Sequence, residues 1–408
     1  MTREKHMLKF HSANVRSSNS HRAVDEAFEI AFGNRLPDDL GIVVVNAALG
    51  HQLEKVAAAI KKLAPDAIVL GNSCSGVTGR DGVGESMNDL ALMAISGPAD
   101  EYGISTVNEI YGHNSYEKGK TLAADLKKKT PNAGAIYLLC PGIDIANDLV
   151  VQAFDETFGP EIVIFGGTSS DNMRGLVNYQ YANDKLTQHG AWAIGFSDPT
   201  LKVVTRATHG FTAYGEPLRV TKAQGNRILE LNGRPAWQEY TARLGLTPAP
   251  DTVCGETIPV GALAEKLSEA ASEEYGNPHI LRVITKYEQD GSIHYPVTCK
   301  EGLELWLTMR NEELIFSEQQ RSLDFLRAGI GEGKTAAVFQ TDCLARGRFL
   351  FNKVIKDEII AMMQSSLSND GEVPPWLGMY GFGEYARLDG KNAYHNYSTA
   401  LMVLYREA

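Results

Sequence analysis

The sequence has few cysteines, no long apolar run and no surplus of basic residues, and each shortage excludes a class of protein. Five cysteines in 408 residues, without C-x-x-C spacing, predict neither a disulfide framework nor a zinc ribbon. No segment approaches the run of about 18 apolar residues that a membrane helix needs. The formal net charge of −11, without a Lys/Arg cluster, argues against nucleic acid or an anionic membrane as a main partner. We therefore expect a small-molecule or protein partner, and we predict neither a metal nor a cofactor.

The length and composition predict two closely packed domains with a large core. Of the 408 residues, 43% are hydrophobic and only 22% are charged. The amino-terminal stretch MTREKHMLKFHS has no apolar segment of signal-peptide length, so we expect a cytoplasmic protein. A weakly marked composition change near residue 215 divides the chain into predicted domains 1–215 and 216–408.

One pattern of apolar runs occurs three times along the chain. GIVVVNAALGHQLEKVAAAIKKLAPDAIVLGNSCSG (41–76) gives a strand, an amphipathic helix, a second strand and a Gly/Ser loop, and the strand LALMAIS (90–96) follows. The same order returns after residues 133 and 335. The sequence therefore predicts an α/β fold in which repeated β-α-β-loop-β units form mixed sheets flanked by helices. The strands 41–46, 134–140 and 335–341 should occupy equivalent places.

The stretch RAGIGEGKTAAVF (327–339) resembles a phosphate-binding loop, because Gly333-Lys334-Thr335 ends a relaxed Walker A pattern. A phosphate loop connects a strand to a following helix. Here a helix precedes the glycines and the strand TAAVFQTD follows them, which is the reverse order. We therefore expect a helix end and a surface turn at Lys334 rather than a nucleotide site.

Small and hydroxyl-bearing residues follow the predicted strands, where ligands collect in α/β sheets. The loops after the second strands are GNSCSGVTG, GGTSSDN and MYGFGEYA. Their glycines allow a ligand to approach the backbone, and their serines supply hydroxyl groups. The alternative is that each loop is a tight turn that needs Gly and Ser for its own geometry.

An ordered set of motifs along most of the chain is similar to the FIST family. The motifs are VLGNSCSGVTG, IFGGTSSDN, THGF, EPLRVTKAQGNRILELNGRPAWQEY, TDCLARGR, YGFGEYA and YHNYSTALMVL. The resemblance implies a sensory protein with FIST N- and C-terminal domains that recognises a small ligand. Amino acids have been proposed as ligands for many members of the family, and haem for a nitric-oxide-sensing branch. It implies a stand-alone sensor that reports to a separate signalling protein, such as a kinase or a cyclic-dinucleotide enzyme.

The resemblance also implies which residues contact the ligand. Cys343 and Arg346 match the family's Cys-x-x-Arg stretch, Glu384 its Gly-Glu turn, and His395-Asn396 its His-Asn pair. Cys74 departs from the family pattern, because it stands two places later than in many relatives. The predicted ligand-contacting residues are Ser73, Cys74, Ser75, Gly167, Ser169, Ser170, Cys343, Arg346, Tyr380, Glu384, His395 and Asn396.

An Arg and a Glu in one cleft suit a zwitterion, because the guanidinium bonds to a carboxylate while the Glu accepts from an ammonium. The alternative is a structural bridge between Arg346 and Glu384. Two other functions stay open at this point. One is a hydrolase or lyase that uses Cys343 or Cys74 with His395 as base, or a His/Glu pair, on a small metabolite. The other is haem-based sensing of nitric oxide.

Overall fold

The computed structural model describes residues 7–172, 174–247, 252, 254–347 and 352–408. These residues form three equivalent units, and one further sheet is inserted into the third unit. Each unit contains two β-α pairs, a third strand, a β-hairpin and a closing strand. The repeated unit is thus longer than the sequence pattern predicts, since it begins one strand and one helix earlier.

The helices and strands follow in chain order. Unit 1 contains β1 (Lys9–Arg16), α1 (Ser20–Phe32), β2 (Leu40–Ala48), α2 (Leu53–Leu63), β3 (Ile68–Cys74), β4 (Val77–Gly79), β5 (Gly82–Gly84) and β6 (Asp89–Ser96). Unit 2 contains β7 (Tyr102–Asn108), α3 (Ser115–Lys129), β8 (Ala135–Cys140), α4 (Asn147–Phe158), β9 (Val163–Thr168), β10 (Gln180–Ala182), β11 (Lys185–Thr187) and β12 (Gly190–Phe196).

Unit 3 begins with β13 (Lys202–Thr208) and resumes after the inserted sheet. The insert contains β14 (Phe211–Gln224), β15 (Arg227–Leu231), β16 (Arg234–Pro235), α5 (Ala236–Arg243), β17 (Leu263–Lys266), α6 (Glu269–Tyr275), β18 (His279–Arg282), β19 (Lys286–Tyr287), β20 (Ile293–His294) and β21 (Glu304–Arg310). Unit 3 then contains α7 (Glu312–Ile330), β22 (Lys334–Cys343), α8 (Lys353–Leu367), β23 (Trp376–Gly381), β24 (Gly383–Leu388), β25 (Lys391–His395) and β26 (Thr399–Arg406). Short 3-10 helices occupy Gly112–Asn114, Cys254–Thr257 and Leu344–Arg346.

The strand order is the same in all three units. Unit 1 has the order β1-β6-β2-β3, unit 2 has β7-β12-β8-β9, and unit 3 has β13-β26-β22-β23. In each unit the last two strands of this order are parallel and the closing strand is antiparallel to its neighbour. The prediction that strands 41–46, 134–140 and 335–341 are equivalent is confirmed, because they are β2, β8 and β22. The mixed α/β architecture is also confirmed.

Each unit passes its hairpin to the sheet of another unit. The hairpin β4-β5 pairs with β23 of unit 3, β10-β11 pairs with β3 of unit 1, and β24-β25 pairs with β9 of unit 2. This cyclic exchange ties the three units together and draws the loops after β3, β9 and β23 to one place.

β13, on the amino-terminal side of the predicted division at residue 215, pairs with β26 from the other side. That division stays a prediction.

The inner faces of the three sheets meet in a central apolar core. The rings of Tyr137, Phe165 and Phe339 lie there with centroids 4.9–5.5 Å apart. Helices α1 and α2, α3 and α4, and α7 and α8 cover the outer faces of units 1, 2 and 3. Strands buried on both faces read as near-continuous apolar runs, which explains sequences such as IVVV in β2. Burial of each large apolar side chain contributes about 1.5–3 kcal/mol to the transfer free energy that stabilises the core.

The inserted sheet packs over the strand ends. A shared apolar cluster joins Phe211, Leu281 and Val283 of the insert to Cys343, Tyr380 and Phe382 of unit 3. The carboxyl-end loops of the repeats are therefore covered by the insert.

The loop that resembles a Walker motif is a helix end followed by a strand. Helix α7 ends at Ile330, Gly331 continues with φ +58°, and Lys334 begins β22. The Lys334 side chain is 73% exposed and pairs with Asp370, which is 86% exposed. The prediction of a surface turn that does not open a helix is confirmed.

Replacing Lys334 by alanine should leave the free energy of unfolding within about 0.5 kcal/mol of the original value, since the pair is solvated. Urea unfolding of both proteins measures this difference. A loss of more than about 1 kcal/mol would show that this turn has a role that its exposure does not suggest.

Candidate functional site

The serines predicted at the strand ends are brought together, and they bond the three units to one another. Ser73 Oγ donates to the Ser170 carbonyl at 2.8 Å, and the hydroxyls of Ser75 and Ser170 lie 3.1 Å apart. Ser170 Oγ donates to the Tyr380 carbonyl at 2.7 Å. All four residues are buried. Units 1, 2 and 3 thus meet at one point, and the serine hydroxyls are engaged in loop-to-loop bonds.

The loop after β9 is held by polar residues that the sequence analysis did not select. Ser169 Oγ donates to Asn178 Oδ1 at 2.8 Å, and Gln180 Nε2 donates to the same oxygen at 2.6 Å. The Asp171 carboxylate accepts from the backbone N–H groups of the four residues 174–177. An aspartate directly after a Gly/Ser run is a turn signal that indicates this kind of bonding. Ser169 therefore belongs to the framework of this loop.

Gly167 lies where the exchanged hairpin crosses unit 2. A Cβ atom there would lie 2.4 Å from the Gly383 carbonyl oxygen and 2.5 Å from Thr341 Cγ2. Its neighbour Gly166 has φ +116°, a conformation that L side chains rarely adopt. The Gly-Gly pair of this motif therefore permits close approach of β9 and β24.

Arg346 forms a buried ion pair with Asp342 instead of Glu384. Arg346 Nε donates to Asp342 Oδ1 at 2.9 Å, and Nη1 donates to the His209 carbonyl at 2.9 Å. The two side chains are only 1% and 5% exposed. The structural bridge considered from the sequence thus exists with a different acid. Its guanidinium links β22 to the start of the insert.

Glu384 lies at the junction of units 2 and 3, where β24 pairs with β9. Its Oε2 accepts from the N–H and the hydroxyl of Ser398, at 3.3 and 2.6 Å. Its Oε1 is buried and has no hydrogen-bond partner among the described residues. Burial raises the pKa of Glu384 well above its ordinary value, against the lowering effect of the Ser398 bonds. The environment therefore favours a neutral carboxyl, whereas the sequence interpretation assumed an ionised one.

The His395-Asn396 pair anchors the insert to unit 3. His395 Nδ1 lies 3.2 Å from the Tyr275 hydroxyl of α6, and burial lowers the pKa of His395 to about 3. Asn396 Nδ2 donates to the Phe382 carbonyl at 2.7 Å, and Asn396 Oδ1 accepts from the Val283 N–H at 3.4 Å. The imidazole is neutral, so it can exchange hydrogen bonds but carries no charge.

The two thiols proposed for catalysis lie in apolar surroundings. Burial raises the pKa of the Cys74 thiol to about 12 and that of Cys343 well above its ordinary value. A nucleophilic cysteine needs a thiolate and a base within reach. The environments of Cys74 and Cys343 favour the unreactive thiol. Tyr380 contributes its carbonyl to the serine contacts, and burial raises the pKa of its phenol.

The predicted residues are enclosed rather than arranged along an open cleft. Ser73, Ser75, Ser169, Ser170, Arg346, Glu384 and His395 are all buried. An open cleft of about 710 Å³ lies elsewhere, between loops of unit 2 and the β19–β20 region of the insert. Ile143 lines this cleft and also belongs to the apolar cluster beneath the insert.

The strand-end histidines do not suit a haem. His209 accepts from the Phe211 N–H and bonds to the His279 carbonyl, so both its ring nitrogens are occupied. His395 is fully buried against Tyr275. No group of three or more His, Cys, Asp and Glu among the described residues is arranged for a metal ion.

Within the same residues, no helix is both long and apolar enough to cross a membrane.

Comparisons with known proteins identify the family. The FIST N domain model matches residues 39–234 and the FIST C domain model matches residues 236–387. An uncharacterised protein of Mycobacterium bovis is 23% identical over 272 residues, which are 66% of this chain and 67% of that protein. An uncharacterised protein of Mycobacterium tuberculosis is 22% identical over 272 residues, 66% of this chain and 68% of its own length.

A solved structure described as "Cyanuric acid hydrolase: evolutionary innovation by structural concatenation" aligns with 98% of this chain and 100% of its own chain. The TM-score is 0.38 and the identity 9%. FIST domains are associated with small-ligand sensing in signalling. Because the two domain models together match most of the sequence, this chain belongs to the FIST family.

Proposed function

We propose that this chain is a cytoplasmic sensory protein that encloses a small carboxylate or zwitterion, such as an amino acid, between the strand ends and the insert. The bound state is reported to a separate signalling protein, such as a kinase or a cyclic-dinucleotide enzyme. The ligand site includes Glu384 and His395, with Arg346 and the strand-end serines holding the surrounding loops.

The unpartnered Glu384 Oε1 is the observation that carries this proposal. Buried polar atoms in folded proteins almost always have a hydrogen-bond partner, and leaving one without a partner costs about 1–3 kcal/mol. Ser398 occupies Oε2, so Oε1 is the oxygen that is available to a ligand. The atom lies where unit 3, unit 2 and the insert adjoin.

A neutral Glu384 would recognise a ligand by donating its proton. With Ser398 donating to Oε2, the carboxyl proton resides on Oε1 and faces a ligand carboxylate or carbonyl oxygen. Such a charge-assisted bond contributes about 1.5–3 kcal/mol. Burial raises the pKa of Glu384 and so favours the protonated carboxyl that this bond requires.

The insert supplies the means to report binding. It contacts unit 3 through Tyr275 and Val283, whose partners are His395 and Asn396. A ligand that bonds to Glu384 would change the packing beneath α6 and β18 and so favour one position of the insert. An equilibrium between two positions shifts only by the ligand's difference in affinity for them.

A thermal-shift screen tests this function. The twenty amino acids and a series of small mono- and dicarboxylates are added to the protein and to Glu384→Met, with Glu29→Met at an exposed position of α1 as a matched control. A ligand at a hundred times its Kd raises the stability by about 2.7 kcal/mol. We expect a hit that stabilises the control and loses about tenfold or more in affinity with Glu384→Met, because methionine has no hydrogen-bond donor at this position. Equal shifts in all three proteins, or none from any compound, would mean that only water bonds to Oε1.

A further inference from the structure

A second binding site, separate from the strand-end cluster, lies in the open cleft between unit 2 and the insert. The cleft has a volume of about 710 Å³, within the range of small-molecule pockets. Its lining combines the aromatic rings of Tyr111 and His189 with the charged side chains of Asp144, Lys286 and Glu288. We infer that this cleft binds a primary alkylamine that carries an aromatic ring, in its ammonium form.

The aromatic wall is held by the backbone around it. The rings of Tyr111 and His189 have centroids 4.2 Å apart at 35°, and the Ile110 N–H donates to the His189 carbonyl at 3.0 Å. The Tyr111 N–H donates to Asn114 Oδ1 at 2.7 Å, which fixes the start of the following 3-10 helix. Both rings are half-buried. They therefore offer a preformed surface on which a ligand ring can stack.

Asp144 supplies the negative charge beside this wall. The charges of Asp144 and Lys286 both act on the His189 ring, which places them at the same end of the cleft. The Asp144 side chain is 28% exposed, and His294 Nδ1 lies 3.5 Å from its Oδ1. An ammonium group at this carboxylate forms a charge-assisted hydrogen bond.

The backbone at Asp144 is strained, as residues at ligand sites often are. Asp144 has φ +55°, a left-handed conformation that non-glycine residues adopt at a cost. The residue follows β8 in the loop CPGIDIAND, at the carboxyl end of a parallel strand. Asp144 therefore stands in a left-handed turn of the loop after β8 that lines the cleft.

The other charges in the cleft favour an amine over a zwitterion. Lys286 Nζ lies 2.8 Å from Glu288 Oε1, so the ammonium already has an acidic partner, and His294 Nε2 bonds to the same oxygen at 2.8 Å. A ligand carboxylate placed here would approach both Asp144 and Glu288, and the Lys286 ammonium in the described lining is already paired with Glu288. The cleft therefore selects an amine that has no carboxylate.

Titration calorimetry with tyramine tests this site in the full chain. Three comparison compounds should each bind at least about tenfold more weakly than tyramine. Tyrosol replaces the ammonium by a hydroxyl, tyrosine adds a carboxylate, and butylamine lacks the ring. Asp144→Asn should weaken tyramine binding by about tenfold or more, while asparagine tolerates the left-handed backbone. Asp389→Asn is the matched control, because Asp389 is exposed, remote from the cleft and has φ +52°.

Glu384→Met should leave tyramine affinity unchanged, so this site and the strand-end site can fail independently. Thermal unfolding of each variant shows whether it is folded before its affinity is compared. The inference is overturned by the absence of saturable tyramine binding to the parent protein. It is also overturned if Asp144→Asn and Asp389→Asn bind tyramine equally, or if tyrosine or tyrosol binds as tightly as tyramine.

Discussion

Replacing Arg346 by methionine should lower the free energy of unfolding by about 3–5 kcal/mol, because it leaves Asp342 as an unpaired acid in the interior. Arg346 is 1% exposed and bonds to Asp342 at 2.9 Å, and it also holds the His209 carbonyl. Burial already raises the pKa of Asp342 while Arg346 opposes the shift. Loss of the guanidinium therefore makes ionised Asp342 still less favourable. Urea unfolding at pH 7 measures the difference.

The matched control is Arg22→Met in α1. Arg22 and Glu26 are also four residues apart and 2.7 Å from each other, but the arginine side chain is 75% exposed. This variant should cost less than about 1 kcal/mol. The double variant Asp342→Asn with Arg346→Met should recover part of the loss, since it removes the uncompensated acid. Equal costs for the buried and exposed pairs would contradict the structural role of Arg346.

The free energy of unfolding of Glu384→Gln, relative to that of the parent protein, should increase as the pH rises. The folded pKa of Glu384 is raised by burial, so above its unfolded pKa the folded protein keeps a proton that the unfolded chain has lost. Stability from this group is present below the unfolded pKa and falls by about 1.4 kcal/mol per pH unit towards the folded pKa. Glutamine retains the shape and an oxygen for Ser398 but has no proton to lose.

Chemical unfolding between pH 5 and pH 8 tests this second prediction. The difference in unfolding free energy between Glu384→Gln and the parent protein should grow in favour of the variant as the pH rises from 5 towards the folded pKa of Glu384. Glu29→Gln, at an exposed position of α1, should follow the parent protein at every pH. Parallel pH profiles for all three proteins would show that Glu384 is ionised in the fold and would remove the basis for its proton-donating role.

The repeated architecture was predictable because its signals are local. The apolar run of β2, the amphipathic pattern of α2 and the Gly/Ser loop after β3 stand next to one another in the sequence, and the same order returns in units 2 and 3. The order of helix, glycine turn and strand also excluded a phosphate loop at Lys334. The full length of the repeat was not predictable from this pattern, because α1, α3 and α7 precede the strand with which the pattern begins in each unit.

The partner of each hairpin was not predictable, because strand pairing across units depends on the whole fold. The first residues of β24 belong to MYGFGEYA, which the sequence predicts as a loop, and they contain no signal that selects β9 of unit 2 as a neighbour. Arg346 and Asp342, by contrast, are four residues apart within TDCLARGR, and their pairing could have been considered from that spacing. Charged residues are mostly exposed, so the complete burial of Arg346 and Glu384 had no sequence signal.

The two proposed sites share the insert as one wall. The cleft is lined by Lys286 and Glu288 of the insert, and the strand-end cluster contacts Tyr275 and Val283 of the insert. If a ligand at either site favours one position of the insert, occupancy of one site will alter affinity at the other by the same factor in both directions. Calorimetry of tyramine with and without a saturating carboxylate ligand would measure this factor.

A crystal structure of the protein with a carboxylate from the thermal-shift screen tests the central claim most directly. The account predicts a ligand oxygen within about 2.5–2.7 Å of Glu384 Oε1, beneath the insert, with Ser398 still bonded to Oε2. A water molecule at Oε1, with the carboxylate bound elsewhere on the protein, would contradict it.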